Sequence, residues 1–402
     1  EHCFGYPEKD GSDGVTAVGM ERNPLSTEKT KIIKLFQELL ENPQNRLVEQ
    51  AAESGRIPIG YACSFVPEPL LMADRLFPVR LHATGVAGTE LADNYLSSLL
   101  CSYTRSILEF AIDDRYDCIR GWVFVPSCAH MQRFIDNFDY LKKPGFCHVI
   151  DVPRKVSAVT LAWQTEELHI LAKKLSSHFG MDMSDASLMK AIGEWNRFCG
   201  VMRQIGDIRK RPNPSITGAE FQSVVMASLA SPKDLILPHL EALYSEIEQE
   251  EGAGKYRARL MVVGGHLHDP EFIHIIESQG GLVVADRFCT GSIPGFKSVF
   301  VNGDPVRAMA EHSFEKTLCP RMMEDFDTRL KTIIDTVREY HVDGIVLEII
   351  KFCDLWGVDA MPLVSALRKQ GIPVLKLERE YRLGGEGQLR TRVQAFIESM
   401  GK

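Results

Sequence analysis

Four short apolar runs, each followed closely by a cysteine, constrain the fold of this chain most strongly. The clearest is GIVLEIIKFCD at residues 344–354, which leads into Cys353. The others are RIPIGYAC before Cys63, GWVFVPSC before Cys128 and GLVVADRFC before Cys289. Short apolar runs of this kind are typical of buried strands in a parallel sheet. Because ligands bind outside the carboxyl ends of such strands, we expect these thiols to gather around a metal–sulfur cofactor.

Strands alternate with helical patterns in two separate parts of the sequence, which predicts an α/β fold with parallel sheets covered on both faces. We expect an N-terminal arm and helices at residues 1–54, a first α/β domain at 55–158, a helical region at 159–254 and a second α/β domain at 255–402. The two α/β parts look like approximate duplicates. Each offers three cysteines near strand ends or loops.

Composition and charge exclude several classes of protein. The chain has 402 residues and a net charge of −8, which argues against nucleic acid or an anionic membrane surface as its main partner. No apolar run reaches the ~18 residues that a membrane helix needs. No secretory signal opens the sequence. We therefore expect a reducing, cytoplasmic location in which disulfides do not form.

Familiar local motifs for nucleotides and metals are absent. There is no GxxxxGK followed by Ser or Thr, no GxGxxG after a strand and no HExxH, so ATP hydrolysis and nicotinamide binding by this chain are unsupported. No two of the ten cysteines are spaced as CxxC. Zinc fingers, thioredoxin sites and ferredoxin-type clusters therefore lack their local signature. Any thiolate site must be gathered by tertiary structure.

Six cysteines are candidate ligands, because they lie near strand ends or loops and several adjoin Pro, Gly or charged residues. They are Cys63, Cys101, Cys128, Cys289, Cys319 and Cys353. Cys sulfur is the usual ligand of iron–sulfur clusters. Zinc also accepts four thiolates, but six candidates exceed one zinc site. We interpret Cys118, Cys147 and Cys199 as ordinary packing residues and Cys3 as incidental.

Charged residues near these thiols are the candidate catalytic groups. Arg105, Arg287, Arg321 and Lys351 are close to cysteines in the sequence, and positive charge around a cluster favours its reduced form. An ordinary surface or ion-pair role explains each of them at least as well. Glu68 is either a proton donor or an acid that complements a helix dipole. Of the five, we select Glu68, Arg105 and Lys351 as candidate catalytic residues.

Six motifs together resemble the 2-hydroxyacyl-CoA dehydratase and benzoyl-CoA reductase superfamily. They are YACSFVPEPLLMADRLFPVRL (61–81), LLCSYTRSILE (99–109), VFVPSCAHMQR (123–133), VVADRFCTGS (283–292), IIKFCD (349–354) and EGQLRTRVQAFIE (386–398). The resemblance extends from about residue 25 to the end. It implies two flavodoxin-like (Rossmann-like) domains with an added helical region, and a [4Fe-4S] cluster held between the domains by three cysteines. It also implies electrons from a separate dimeric iron–sulfur ATPase, which agrees with the missing P-loop.

The cluster cysteines shared across that superfamily match Cys101, Cys128 and Cys353 in this sequence. The additional thiols at Cys63, Cys289 and Cys319 resemble the double-cubane branch, in which each subunit of a homodimer holds an [8Fe-9S] cluster. Of these, Cys319 is the most discriminating position. This resemblance implies an anaerobic, ATP-dependent reductase of small molecules.

Two other functions stay open. One is a subunit of a 2-hydroxyacyl-CoA dehydratase with a single [4Fe-4S] cluster, which would form a heterodimer and act on a CoA thioester. The other is a non-catalytic electron carrier with the same cluster. The iron content per chain distinguishes the double cubane from the dehydratase.

Overall fold

The computed structural model describes residues 27–250, 252, 254–291, 296–316 and 318–401. Cys3 lies outside these residues. The described chain forms two four-stranded sheets and thirteen helices. This confirms the predicted α/β fold with two Rossmann- or flavodoxin-like halves. No helix among the described residues has the length and apolar character needed to cross a membrane.

The helices are numbered along the chain. They are α1 (Thr27–Glu38), α2 (Arg46–Glu53), α3 (Ser102–Ile112), α4 (Ala129–Lys142), α5 (Ala158–Phe179), α6 (Asp185–Ile208), α7 (Gly218–Leu229), α8 (Lys233–Gln249), α9 (Glu271–Glu277), α10 (Pro305–Lys316), α11 (Phe326–Glu339), α12 (Asp354–Lys369) and α13 (Glu386–Ser399).

The first sheet contains β1 (Ile57–Tyr61), β2 (Leu76–Arg80), β3 (Gly121–Phe124) and β4 (Cys147–Val149), in the order β2-β1-β3-β4. All neighbouring strands are parallel. Strands β2 and β3 are buried along their whole length, which explains why they read as apolar runs without alternation. The strand order reverses between β1 and β3, so the ligand crevice of such a sheet lies at their carboxyl ends.

The second sheet repeats this arrangement. It contains β5 (Ala258–Val263), β6 (Gly281–Arg287), β7 (Gly344–Ile350) and β8 (Val374–Arg379), in the order β6-β5-β7-β8. Its neighbouring strands are also parallel. The switch point lies between β5 and β7. The two halves therefore each present a crevice at the carboxyl ends of their central strands.

Helices α5 to α8 follow one another between β4 and β5, with no strand among them in the part of the chain that the structure describes. Their apolar faces pack into one core with α1 and parts of the first sheet. Cys199 on α6 lies in this core and is fully buried, as expected. The Thr217 and Glu220 side chains form the predicted capping box at the start of α7. Helices α1 and α2 are separate, as Pro43 predicted.

Several element boundaries differ from prediction, and one difference matters for the site. We expected a helix over residues 91–112 with Cys101 near its middle, but this was wrong, since α3 begins at Ser102 and Cys101 is its N-cap. A turn in which Leu100 N donates to Ser97 O breaks the helical pattern just before it. Helix α12 likewise begins at Asp354, seven residues before the expected start.

Candidate functional site

The first group of thiols consists of Cys101, Cys128 and Cys353, and each is the N-cap residue of a helix. Cys101 precedes α3, Cys128 precedes α4 and Cys353 precedes α12. A helix N-terminus carries unsatisfied N–H groups and a partial positive charge. The Sγ of Cys128 accepts from the Met131 backbone N–H at 3.4 Å. These helix N-termini partly offset the cost of anionic sulfur at the three positions, and Cys128 alone makes a side-chain cap hydrogen bond.

Tight turns bring this group together. Phe352 adopts a left-handed conformation with φ 64°, which is uncommon for an aromatic residue and turns the chain sharply between β7 and Cys353. The Cys101 backbone N–H donates to His130 Nδ1 at 3.1 Å, which joins the start of α3 to the start of α4. These contacts position three thiols from both halves of the molecule at one junction.

The thiols of the first group are close enough to affect one another's ionisation. Burial raises the pKa of Cys353, and the nearby Cys101 and Cys128 thiols raise it further. Burial and the Cys101 thiol also raise the pKa of Cys128, to about 12. The negative charge of Asp354 also raises the pKa of all three thiols. Without a positive ligand, this group is therefore protonated at neutral pH.

The second group of thiols consists of Cys63, Cys289 and Cys319. Cys63 lies two residues after β1 and Cys289 two residues after β6, while Cys319 lies in the connection between α10 and α11. Burial raises the pKa of Cys289, and the Cys319, Cys63 and Cys353 thiols add to this. Burial likewise raises the pKa of Cys319 to about 12, with a contribution from Cys63. The effect of Cys353 on Cys289 shows that the two groups adjoin each other.

Hydrogen bonds fix the Cys289 loop against the first half of the molecule. The Ser64 hydroxyl donates to Cys289 O at 2.6 Å. The Arg80 guanidinium donates to Ser64 Oγ at 3.1 Å and to Cys289 O at 3.5 Å. On the other side, the Cys289 N–H donates to Gly265 O, in the loop after β5, at 3.0 Å. The loop is thus held between the carboxyl ends of β1 and β5.

Two arginines fix the Cys319 loop in a similar way. Arg329 on α11 donates to Cys319 O at 3.4 Å and forms a bidentate pair with Asp359 at 2.7 and 3.1 Å. Arg321 donates to Pro153 O at 3.0 Å, in the segment after β4. Both arginines lower the pKa of Cys319, against the larger effect of burial. The two groups of thiols therefore differ in environment, since helix N-termini surround the first and arginines the second.

The three candidate catalytic residues all have ion-pair partners. Glu68 is buried, with Oε2 3.5 Å from Lys233 Nζ. Arg105 pairs with Asp93 at 2.9 Å and donates to Leu100 O at 3.3 Å, which braces the loop before Cys101. Each contact explains the position of its side chain.

Lys351 is half exposed, and its Nζ lies 3.4 Å from Glu380. Glu380 is also 4.0 Å from the Arg105 guanidinium. These ion pairs are sufficient to account for the positions of the three charged side chains. Catalytic roles for Glu68, Arg105 and Lys351 therefore stay predictions.

Sequence reasoning missed several polar residues around the thiols. Arg80 ends β2, and its charge affects Cys289. Tyr103 is buried two residues after Cys101, close enough to Cys63, Cys101 and Cys289 for their charges to raise its pKa. Arg80 could have been identified from the sequence, because it lies at the end of a strand in the PVRL run. Tyr103 had no comparable signal, because an aromatic residue on a helix usually belongs to the core.

The donor set of the candidate site consists of cysteine sulfur. Among the described residues, no three His, Cys, Asp or Glu side chains converge tightly enough to hold a single metal ion. The six candidate thiols instead form two groups of three, from loops of both halves. A polynuclear iron–sulfur cluster takes thiolate ligands of this kind.

Comparison with known proteins identifies the relatives of the chain. Residues 63–400 match the family described as 2-hydroxyglutaryl-CoA dehydratase, D-component. The putative dehydratase subunit YjiM of Escherichia coli is 28% identical over 357 residues, covering 85% of this chain and 91% of that protein. The beta subunit of (R)-phenyllactyl-CoA dehydratase from Clostridium sporogenes is 24% identical, covering 92% of this chain and 99% of its own length. The beta subunit of (R)-2-hydroxyglutaryl-CoA dehydratase from Acidaminococcus fermentans is 22% identical with the same coverage.

The family match spans most of the chain, including the second sheet, strands β2 to β4 of the first sheet and all six candidate cysteines. It agrees with the resemblance seen in the sequence motifs. The chain belongs to the 2-hydroxyglutaryl-CoA dehydratase D-component family, within the 2-hydroxyacyl-CoA dehydratase superfamily.

Proposed function

We propose that this chain is an iron–sulfur reductase that holds an [8Fe-9S] double-cubane cluster through six cysteines. The observation that supports this is the second group of thiols, Cys63, Cys289 and Cys319, which adjoins the first group at the junction of the two halves. A single [4Fe-4S] cluster held by three cysteines would leave the second group of thiols without a metal to bind. Two cubanes with three cysteine ligands each would use all six cysteines.

The surroundings of the thiols support a negatively charged centre. Burial raises the pKa of Cys128 in the first group and of Cys319 in the second, which disfavours free thiolates at these positions. A bound metal removes this obstacle, since a coordinating thiol is deprotonated outright. Helix N-termini at the first group and Arg80, Arg321 and Arg329 at the second stabilise the remaining negative charge. When bound, such a cluster supplies low-potential electrons for reduction of a small molecule.

The partners follow from what the sequence lacks. A low-potential centre needs a source of energised electrons, and no P-loop motif is present in this chain. We therefore propose that a separate ATP-hydrolysing iron–sulfur protein delivers the electrons. We further propose a homodimer, in which each copy carries its own six thiols.

A dehydratase subunit with one [4Fe-4S] cluster is the second candidate function. The names of two relatives, beta subunits of (R)-phenyllactyl-CoA and (R)-2-hydroxyglutaryl-CoA dehydratases, favour it. In that case the first group of thiols would hold the cluster, the partner would be a different subunit, and the substrate would be a CoA thioester. A non-catalytic electron carrier is a third possibility, which ATP-dependent turnover of a small substrate would exclude.

Iron and acid-labile sulfide per chain test the proposal. Anaerobically purified protein should contain about eight irons per chain for the double cubane and about four for the dehydratase. Cys319→Ala should lower the iron content from about eight to about four, because it removes one of three ligands of the second cubane. Cys118→Ala is the control, since Cys118 is a partly buried cysteine that belongs to neither group. Unchanged iron and an unchanged spectrum in Cys319→Ala would overturn the proposal.

A further inference from the structure

A cluster of aromatic rings lies beside the thiols where the two halves meet. Tyr103 of α3 stacks on His266, from the loop after β5, with ring centres 3.8 Å apart and planes inclined by 14°. His268 stands edge-on to both rings, at 5.3 Å from Tyr103 and 5.5 Å from His266. Tyr381, just after β8, packs against Tyr103 at 5.5 Å. Each of the four rings therefore has a fixed position.

Hydrogen bonds determine where the proton of His268 lies. The phenolic oxygen of Tyr381 accepts from the Ala83 backbone N–H at 3.0 Å. It also lies 2.7 Å from His268 Nδ1. Among the described residues, His268 Nδ1 is the one acceptor in hydrogen-bond contact with this hydroxyl, so the phenol's own proton is donated to Nδ1. The proton of the neutral His268 ring is then on Nε2.

Three polar atoms of this cluster are buried without a protein partner among the described residues. They are Tyr103 Oη, His266 Nδ1 and His268 Nε2. Buried polar groups in native proteins almost always have a partner, and leaving several unsatisfied in one place costs stability. A polar molecule that hydrogen-bonds to these atoms accounts for them.

The charge of the cluster selects the kind of molecule. Burial lowers the pKa of both His266 and His268 well below the ordinary value, and the nearby guanidinium groups of Arg80 and Arg379 lower it further. Both imidazoles are therefore neutral near pH 7. Neutral donors and acceptors in a desolvated site suit an uncharged ligand better than an ion.

The cluster is next to the candidate metal centre. Tyr103 is two residues after Cys101, and the Cys63, Cys101 and Cys289 thiols are close enough to act on its hydroxyl. The Arg80 guanidinium, whose charge acts on both histidines, reaches the Cys289 carbonyl at 3.5 Å. A molecule held by the three unpartnered atoms would thus adjoin both groups of thiols.

We propose that Tyr103, His266 and His268 form a binding site for a small uncharged polar molecule, with a hydrogen-bond acceptor facing His268 Nε2–H. Tyr381 is a positioning residue, because its hydroxyl fixes the tautomer of His268. The site would hold the substrate of the reduction proposed above. That last step rests on the proposed function, whereas the binding site itself does not.

Formamide and formate test the site. They are the same size, but formamide is uncharged and formate is an anion. Binding of the ¹³C-labelled probes to anaerobic holoprotein is measured by ligand-observed NMR. Formamide should bind with a dissociation constant of about 1 mM, near the limit for three heavy atoms. Formate should bind at least tenfold more weakly. Equal or tighter binding of formate would overturn the proposal.

Two variants identify the residues involved. Tyr381→Phe keeps the ring but removes the hydroxyl, and it should weaken formamide binding about threefold to tenfold. His268→Phe should weaken it more than tenfold. Tyr116→Phe is the matched control, since it loses a buried hydroxyl that donates to His82 O at 2.7 Å and faces none of the three atoms. Unchanged binding in Tyr381→Phe, with the iron content of the parent protein, would overturn the role of His268.

The link to the metal centre has its own measurement. In reduced holoprotein, a paramagnetic iron centre next to the site should increase the relaxation rate of bound formamide. Formamide binding without this increase, in protein that contains iron, would overturn the assignment of the site to the substrate. An iron content of about four per chain or less would instead contradict the proposed function while leaving the binding measurement valid.

Discussion

Glu277 connects the helical region to the second sheet, and its protonation should control the strength of that connection. Its carboxylate accepts from the Gly218 N–H at 2.7 Å and the Ala219 N–H at 3.3 Å, which are the first two residues of α7. It also accepts from the Val283 N–H in β6 at 3.1 Å. One buried side chain thus joins a helix N-terminus to a strand.

The pH dependence follows from the pKa of this group. Burial raises the pKa of Glu277 from its ordinary 4.5 to about 7, although the three N–H donors act in the opposite direction. Between these two values the folded protein keeps a proton that the unfolded chain releases. The unfolding free energy therefore falls with rising pH in this window, by about 1.4 kcal/mol per pH unit, and is flat above it. The total is about 3 kcal/mol.

Local hydrogen exchange provides the assay, because a chain of this size does not unfold in one step. The opening free energy of residues 218–229 is measured at pH 5.5 and 7.5, with intrinsic exchange rates corrected for pH. In the parent protein it should be about 2 kcal/mol lower at pH 7.5. Glu277→Gln has no proton to lose and should show no such difference.

The exposed Glu53 on α2 provides the control. Glu53→Gln should keep the full pH dependence of the parent protein at residues 218–229. If the parent protein and Glu277→Gln respond equally to pH, burial does not govern the ionisation of this carboxyl, and the reasoning is refuted.

Three further substitutions test packing. Arg329→Met removes a pair with Asp359 in which the side chains are 7% and 13% exposed, and it should lower the opening free energy of α11, measured by hydrogen exchange, by about 3–5 kcal/mol; a loss below 1 kcal/mol would contradict this. In Gly218→Ala the new Cβ lies 2.6 Å from Val283 backbone and side-chain atoms and should cost about 1–3 kcal/mol. Gly193→Ala on α6 meets nothing within 4 Å and should instead gain about 0.5–1 kcal/mol.

The sheets could be predicted from the sequence because their strands are buried on both faces. β7 has the bounds that its apolar run indicates, Gly344–Ile350. Helices were harder. Helix α10 was missed, although Asp304 caps it by accepting from the Val306 N–H at 2.8 Å. The start of α3 was misplaced because apolar residues before Ser97 continue the helical spacing through a turn.

The position of thiols at strand ends was predictable, since topology alone brings the carboxyl ends of parallel strands to one edge. Their immediate environment was not. Cys319 follows no strand, and the contact of Arg329 with its carbonyl depends on how α11 packs. The pairing of Arg80 with the Cys289 loop joins residues 209 positions apart. Sequence spacing carries no information about contacts of that kind.

The ring cluster also lies at the carboxyl ends of the strands, and it was not identified from the sequence. The sequence after β5 is GGHLHD, a strand-end loop at the switch point of the second sheet, and it contains His266 and His268 but no cysteine. We looked for cysteines at the strand ends and therefore missed this loop. Ligands bind at the switch point of a parallel sheet, so any polar side chain there is a candidate. Tyr103 completes the cluster from the other half, two residues after the Cys101 N-cap. The same short segment therefore supplies both a candidate metal ligand and a wall of the proposed binding site, which is why the two sites adjoin.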